Sequence, residues 1–149
     1  MKAEKTCYQR AVGLLAARPH FRRELELKLA QRAYPPAEID ATLDRLTAEG
    51  HLDDLRAARD FVAHRLEKGG EGKLRLLAEL QRRGVPKEAI EAALAQVPED
   101  DLEAAREAAE KWARGRSRKD PAALARHLER KGFSRRAIFA VSKLDDLDL

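Results

Sequence analysis

The chain has 149 residues, 44% hydrophobic and 38% charged but only 5% aromatic, with a formal net charge of +4. A chain of this kind folds, yet its core must be built mostly from Leu and Ala, which favours thin layers of helix over one thick core. It contains no Asn, which removes the usual hairpin-turn chemistry and argues against a β fold.

An amphipathic run over 7–18 comes first. Leu25 and Leu29 then stand at i and i+4, on one helix face, and the pattern stops at Ala33. Pro35-Pro36 marks the start of a further helix carrying Ile39 and Leu43. Leu25, Leu27 and Leu29 alternate as in a half-buried strand, but the intervening Glu24, Glu26 and Lys28 favour helix. A second amphipathic run over 53–67 opens on Asp53-Asp54 and carries Arg65 near its end, the order that complements a helix dipole. Lys68-Gly69-Gly70-Glu71-Gly72 reads as a flexible loop. Leu76 and Leu80 follow, ending at Gly84, then Pro86 and an apolar face of Ile90, Leu94 and Val97. The third run, over 100–114, opens on Asp100-Asp101. After a basic loop at 115–121 come Leu124 and Leu128, Gly132, Ser134 and Ile138, and an acidic tail over 145–149 that is expected to fray.

These segments are copies of one unit. In each, a Leu stands four residues before Gly84, Gly132 or Ala33, and an Ile stands six residues after it. The spacing predicts an all-α fold of three tandem three-helix repeats forming an elongated, curved array of nine helices. The expected units are 1–52, 53–99 and 100–149, with Leu29, Ile39, Leu43, Leu80, Ile90, Leu94, Leu128 and Ile138 buried.

Little in the chain points to catalysis. His20, His51, His64 and His127 lack metal-ligand spacing to one another or to Cys7, so no metal is expected. Gly69, Gly70 and Gly72 precede Lys73, but Leu74 stands where a phosphate-binding loop needs Ser or Thr, so no cofactor is expected. The paired aspartates at two helix starts read as caps rather than metal ligands. Cys7 is the only cysteine, which excludes an intrachain disulfide and fits a reducing compartment. Without an apolar run behind Met1 or a stretch long enough to span a bilayer, a cytoplasmic, monomeric protein with no membrane contact is expected.

Charge is unevenly spread. Residues 114–136 carry nine cations against Asp120 and Glu129, a local net of +7, and residues 73–87 carry five against Glu79, a net of +4. The expected partner- or DNA-contacting residues are Arg65, Lys73, Arg75, Arg82, Arg83 and Lys87 in the second unit. In the third they are Arg126, Arg130, Lys131, Arg135 and Arg136. A solvated helical surface would carry the same charges. Phe133 apart, no aromatic residue interleaves the basic stretches, which disfavours single-strand binding by base stacking.

The stretch Glu49-Gly50-His51-Leu52-Asp53-Asp54, then Ala58, Phe61, Val62 and Arg65, then Lys68-Gly69, Leu76, Leu80, Gly84, Val85, Ile90 and Leu94, resembles the core motif of the RecX family, regulators of the RecA recombinase. His51 departs from that family's usual aromatic. The resemblance implies structural roles for Gly50, Leu52, Asp53, Asp54, Phe61, Leu80, Gly84, Ile90 and Leu94. It also implies a non-enzymatic inhibitor that binds the groove of the RecA–DNA filament and limits filament extension, ATP hydrolysis, strand exchange and co-protease activity, in the setting of DNA repair, recombination and the SOS response. Single- or double-stranded DNA would be a further contact. Two other readings stay open from the residues alone: a helical-repeat protein contacting DNA phosphate through its basic patches, and a helical-repeat adaptor for protein–protein interaction.

Overall fold

The computed structural model describes residues 4–117 and 120–147. Among the described residues there are nine helices and no strand. They are α1 (Cys7–Ala17), α2 (Arg22–Gln31), α3 (Pro36–Ala48), α4 (Asp54–Lys68), α5 (Lys73–Arg82), α6 (Lys87–Leu94), α7 (Leu102–Ala113), α8 (Pro121–Arg130) and α9 (Arg135–Leu147). Leu25 and Leu29 are fully buried on one face of α2 while Leu27 is 48% exposed, so the alternating leucines form a helix with one leucine to solvent.

The turn between the second and third helix of each set is built the same way three times. The residue after the turn returns its N–H to the Leu carbonyl five positions back: Tyr34 to Leu29, Val85 to Leu80 and Phe133 to Leu128, at 3.4, 3.1 and 3.2 Å. This is a Schellman closure, and it puts the residue before it in the left-handed region. Gly84 and Gly132 adopt it at φ 75° and 86°. Ala33 adopts it at φ 64°, at a strain of about 1 kcal/mol.

Three apolar clusters result. Cys7, Ala11, Leu25, Leu29, Ile39, Leu43, Leu46 and Leu52 form the first. Ala58, Val62, Leu76, Leu80, Val85, Ile90, Leu94 and Val97 belong to the second, joined by Phe21 from the start of α2. Ala105, Ala108, Ala109, Leu124, Leu128, Phe133, Ala137 and Val141 form the third. Ile138 is the exception among the expected core residues: it lies at the cluster's margin while Ala137 and Val141 point in. The Phe133 ring is buried in this cluster at the turn position that the smaller Val85 occupies in the second.

Extensively packed helix pairs all lie within one cluster's three helices. The chain exposes 10274 Å², against about 7,700 Å² for a compact monomer of this mass, so the molecule is extended.

Between clusters, the second helices meet end to end. The start of α5 meets the end of α8: Gly72 N–H donates to the Lys131 carbonyl at 2.7 Å and Leu74 N–H to the Gly132 carbonyl at 3.1 Å. Free N–H groups of one helix start thus satisfy free carbonyls of another helix end. The two backbones touch, because a Cβ on Gly72 would lie 2.4 Å from the Gly132 carbonyl oxygen, and one on Gly132 2.2 Å from the Arg75 nitrogen. The Lys68–Gly72 stretch, expected as a flexible loop, is therefore pinned at its end. The start of α2 meets the end of α5 through side chains, Arg83 pairing with Glu24 at 3.0 Å. The guanidinium of Arg83 also lies 4.7 Å from the Phe21 ring centre and 5.3 Å from that of Phe61.

The paired aspartates divide their work. Asp53 accepts Arg56 N–H in its own helix, while Asp54 accepts Arg22 N–H at the start of α2. Asp100 accepts Leu102 N–H, while Asp101 takes both the N–H and the hydroxyl of Ser134 at the start of α9. Each pair thus caps one helix locally and a second across the fold. The described residues contain no group of three or more His, Cys, Asp or Glu placed to hold a metal. No described helix is long and apolar enough to cross a membrane.

Candidate interaction surface

The expected binding cations separate into two sets. Arg65, Arg75 and Arg83 are committed within the fold. Arg65 lies between two carboxylates, its Nε 2.6 Å from Glu71 and its Nη2 2.7 Å from Glu79. The hydrogen bonds it donates to those two carboxylates raise its already high pKa further, so it is a permanent cation. Arg75 pairs with Glu71 at 2.8 Å and donates to the Arg130 carbonyl at 3.0 Å. Arg83 is half-buried in its pair with Glu24. Arg75 and Arg83 thus bridge neighbouring units, while Arg65 ties α4 to the following loop and to α5 within its own unit.

The others face solvent. Lys73, Arg82 and Lys87 are exposed on α5 and α6, with Lys87 in a loose 3.8 Å pair with Glu91. Arg126 and Arg130 are exposed one turn apart on α8, and Arg135 and Arg136 at the start of α9. Lys131 is half-buried. Arg82 and Arg130 line one groove of about 470 Å³ between α5 and α8, with Glu79 and Glu129 interposed. Arg118 and Lys119, counted in the basic stretch, lie outside the described residues, as do the last two residues of the acidic tail.

The motif residues are structural in their surroundings. Leu52, Leu80, Ile90 and Leu94 are buried. Gly50 takes φ 79° at the turn after α3, and its carbonyl accepts from Arg56. Phe61 lies half-buried with the Arg65 guanidinium 4.9 Å from its ring centre. His51 is exposed, so the missing aromatic leaves no gap in a core.

A second cationic feature is not visible in the linear charge pattern. The α4–α5 loop and residues 111–116 at the end of α7 face each other across an open cleft of about 800 Å³. Lys68, Lys111, Arg114, Arg116 and Lys131 line it, with Trp112 and His127. The Arg116 guanidinium lies 4.5 Å from the Trp112 ring centre, and its Nε donates to the Trp112 carbonyl at 2.9 Å. Burial holds the His127 pKa below its ordinary value, and Lys131, Arg130 and Arg116 add to the effect. Among the described residues the one carboxylate in the lining, Glu71, is already paired with Arg65 and Arg75.

Comparisons with known proteins agree on a family. The family model described as RecX, first three-helix domain, matches residues 7–46, and that described as RecX, second three-helix domain, matches 53–94. Regulatory protein RecX of Vibrio parahaemolyticus is 36% identical over 141 residues, covering 93% of this chain and 90% of its own. The protein of that name from Xanthomonas axonopodis pv. citri is 46% identical over 104 residues, which cover 70% of this chain and 64% of that one. The chain thus spans just under two thirds of the Xanthomonas relatives it matches. The crystal structure of RecX from Lactobacillus salivarius superposes with a TM-score of 0.78 over 95% of both chains at 23% identity, a likeness of fold. With both domain models matched in order and relatives aligned along nearly its whole length, the chain belongs to the RecX family, whose members are named as regulatory proteins rather than enzymes.

Proposed function

We propose that this protein is a non-enzymatic modulator of the RecA recombinase, acting in the cytoplasm as a monomer. It lies along the groove of the RecA–DNA filament and limits filament extension, and with it ATP hydrolysis, strand exchange and co-protease activity. The observation that carries this reading is membership of the RecX family together with an extended shape on which Lys73, Arg82, Arg126, Arg130, Arg135 and Arg136 are exposed with no carboxylate within 4.0 Å among the described residues. Three units at 1–52, 53–99 and 100–149 offer a long surface, suited to bridging successive protomers. Lys73, Arg82, Lys87, Arg126, Arg130, Arg135 and Arg136 supply the polar contacts, each worth about 1 kcal/mol or less but additive along one array.

The test is Arg126→Ala/Arg130→Ala. It should weaken inhibition of RecA-dependent ATP hydrolysis and leave the thermal midpoint nearly unchanged, because both side chains are exposed. Raising salt should weaken wild type more than the variant, which has fewer charges to screen. Equal inhibition by the variant at low salt would remove α8 from the contact surface.

A second reading, direct contact with DNA, is favoured by the cationic cleft between the second and third units. It predicts affinity for naked DNA in the absence of RecA that falls steeply with salt.

A further inference from the structure

The cleft beside Trp112 has features that an ordinary solvated face lacks. Lys68 and Lys131 approach it from the second and third units, and Lys111 and Arg114 from the end of α7. Among the described residues, no carboxylate lies within 4.0 Å of these four cations. Like charges gathered in a cleft repel one another and focus a positive potential, which a bound anion relieves. The His127 pKa is lowered chiefly by burial, with smaller contributions from Lys131, Arg130 and Arg116.

Trp112 adds a second requirement. It is half-buried, with one side packed against the third core and the indole reaching the cleft wall. The Arg116 guanidinium, a flat cation, lies over the ring. A flat group of similar thickness can take its place, releasing Arg116 towards an anion. Gly69 and Gly70 on the opposite wall have open space where side chains would stand, so the mouth stays wide. An acidic peptide satisfies the charge but brings a flat group for the indole only where an aromatic residue stands beside its carboxylates. A duplex keeps its bases stacked on one another. A nucleotide unit supplies both elements.

We propose that this cleft binds a nucleotide unit, its base stacked on Trp112 and its phosphate held by Lys68, Lys111, Arg114, Arg116 and Lys131. The unit comes either from a single strand of nucleic acid or from a free nucleotide. This inference rests on the DNA-contact reading of the same cleft and not on the reading of RecA binding.

Trp112 is the only tryptophan in the chain, so its fluorescence reports the site directly. The full chain is titrated at low salt with oligothymidylate, with thymidine triphosphate, and with inorganic tripolyphosphate. The proposal expects quenching by the oligonucleotide or the nucleoside triphosphate at concentrations where tripolyphosphate has little effect. Quenching by the strand alone assigns a single-strand site, and equal quenching by both assigns a mononucleotide site. Lys111→Ala/Lys131→Ala should weaken binding by about tenfold or more, and Trp112→Leu, followed by the anisotropy of a labelled oligonucleotide, by about fivefold or more. Arg32→Ala, on the exposed end of α2, should leave binding unchanged. Binding should also raise the His127 pKa, read by NMR, as phosphate offsets the cations around it. If tripolyphosphate binds as well as the nucleotide, base recognition is refuted. If labelled strand binds without quenching Trp112, or binds both variants as well as wild type, the site lies elsewhere and the proposal fails.

Discussion

Gly132 is the position where the end-to-end joint between α5 and α8 is most exposed to test. Gly132→Ala places a methyl group 2.2 Å from the Arg75 nitrogen and 2.9 Å from its Cα, with the backbone at φ 86°. Backbone atoms cannot rotate away as a side chain does, so the two helix ends must separate. Separation breaks the Gly72-to-Lys131 and Leu74-to-Gly132 hydrogen bonds, each worth about 0.5–1.5 kcal/mol net. Left-handed strain on the new Ala adds about 1–2 kcal/mol. The stiffer unfolded chain returns somewhat under 1 kcal/mol. The expected loss is roughly 2–4 kcal/mol. Ala33→Gly is the paired control. It changes the same turn position in the first unit, where the strained residue is already an Ala, and it should stabilise by up to about 1 kcal/mol. Urea unfolding followed by circular dichroism gives both values, and amide hydrogen exchange at Gly72 and Leu74 shows whether the joint has opened. If Gly132→Ala is as stable as wild type and both amides stay protected, the joint does not have the tight backbone contact described.

Leu80→Ala removes a fully buried side chain from the second core and should cost about 2–5 kcal/mol by denaturant titration; a loss under 1 kcal/mol would place Leu80 outside the core. Glu71 is held below the usual carboxylate range, chiefly by its hydrogen bonds with Arg65. It therefore contributes stability that is full above the ordinary value of 4.5 and lost as pH falls through its lower folded value. Glu71→Gln should destabilise at pH 7 and flatten the acid limb of the stability curve, and an unchanged limb would count against the ion network. His20 is buried with its pKa lowered, mainly by burial, and its ring nitrogens lie 2.8 Å from the Arg18 carbonyl and from the Lys28 ammonium. Protonation is resisted in the folded state, so stability is full above the ordinary value of 6.5 and falls as pH drops below it; His20→Gln should lose that slope, and a slope unchanged in the variant would assign it to another group.

The sequence made the helices and their register readable because the signals are local. Leu25 and Leu29, Leu76 and Leu80, and Leu124 and Leu128 repeat at helical spacing, and a turn residue follows each pair at a fixed distance. How the units join was not readable. Gly72 looks like loop flexibility in a run of glycines, and only the approach of α8, sixty residues later, shows that it is needed for backbone contact. Charge counts likewise could not separate Arg83, paired with Glu24 of another unit, from Arg82, which faces solvent. The Trp112 cleft was missed for a related reason. In the linear sequence, residues 114–136 form a basic stretch whose one aromatic, Phe133, is buried, whereas Trp112 lies two positions before it and Lys68 reaches the same cleft from a different unit. One available signal was the Lys111-Trp112-Ala113-Arg114 order, which places the lone tryptophan between cations at the end of a helix.

The central claim, regulation of RecA by direct contact with its filament, is tested most directly by adding the purified protein to RecA assembled on single-stranded DNA. RecA-dependent ATP hydrolysis and sedimentation of the protein with the filament are then followed together. Hydrolysis should fall as the protein is added, the protein should sediment with the filament, and both effects should weaken as salt rises. Unchanged hydrolysis, with the protein left in the supernatant at low salt, would contradict it.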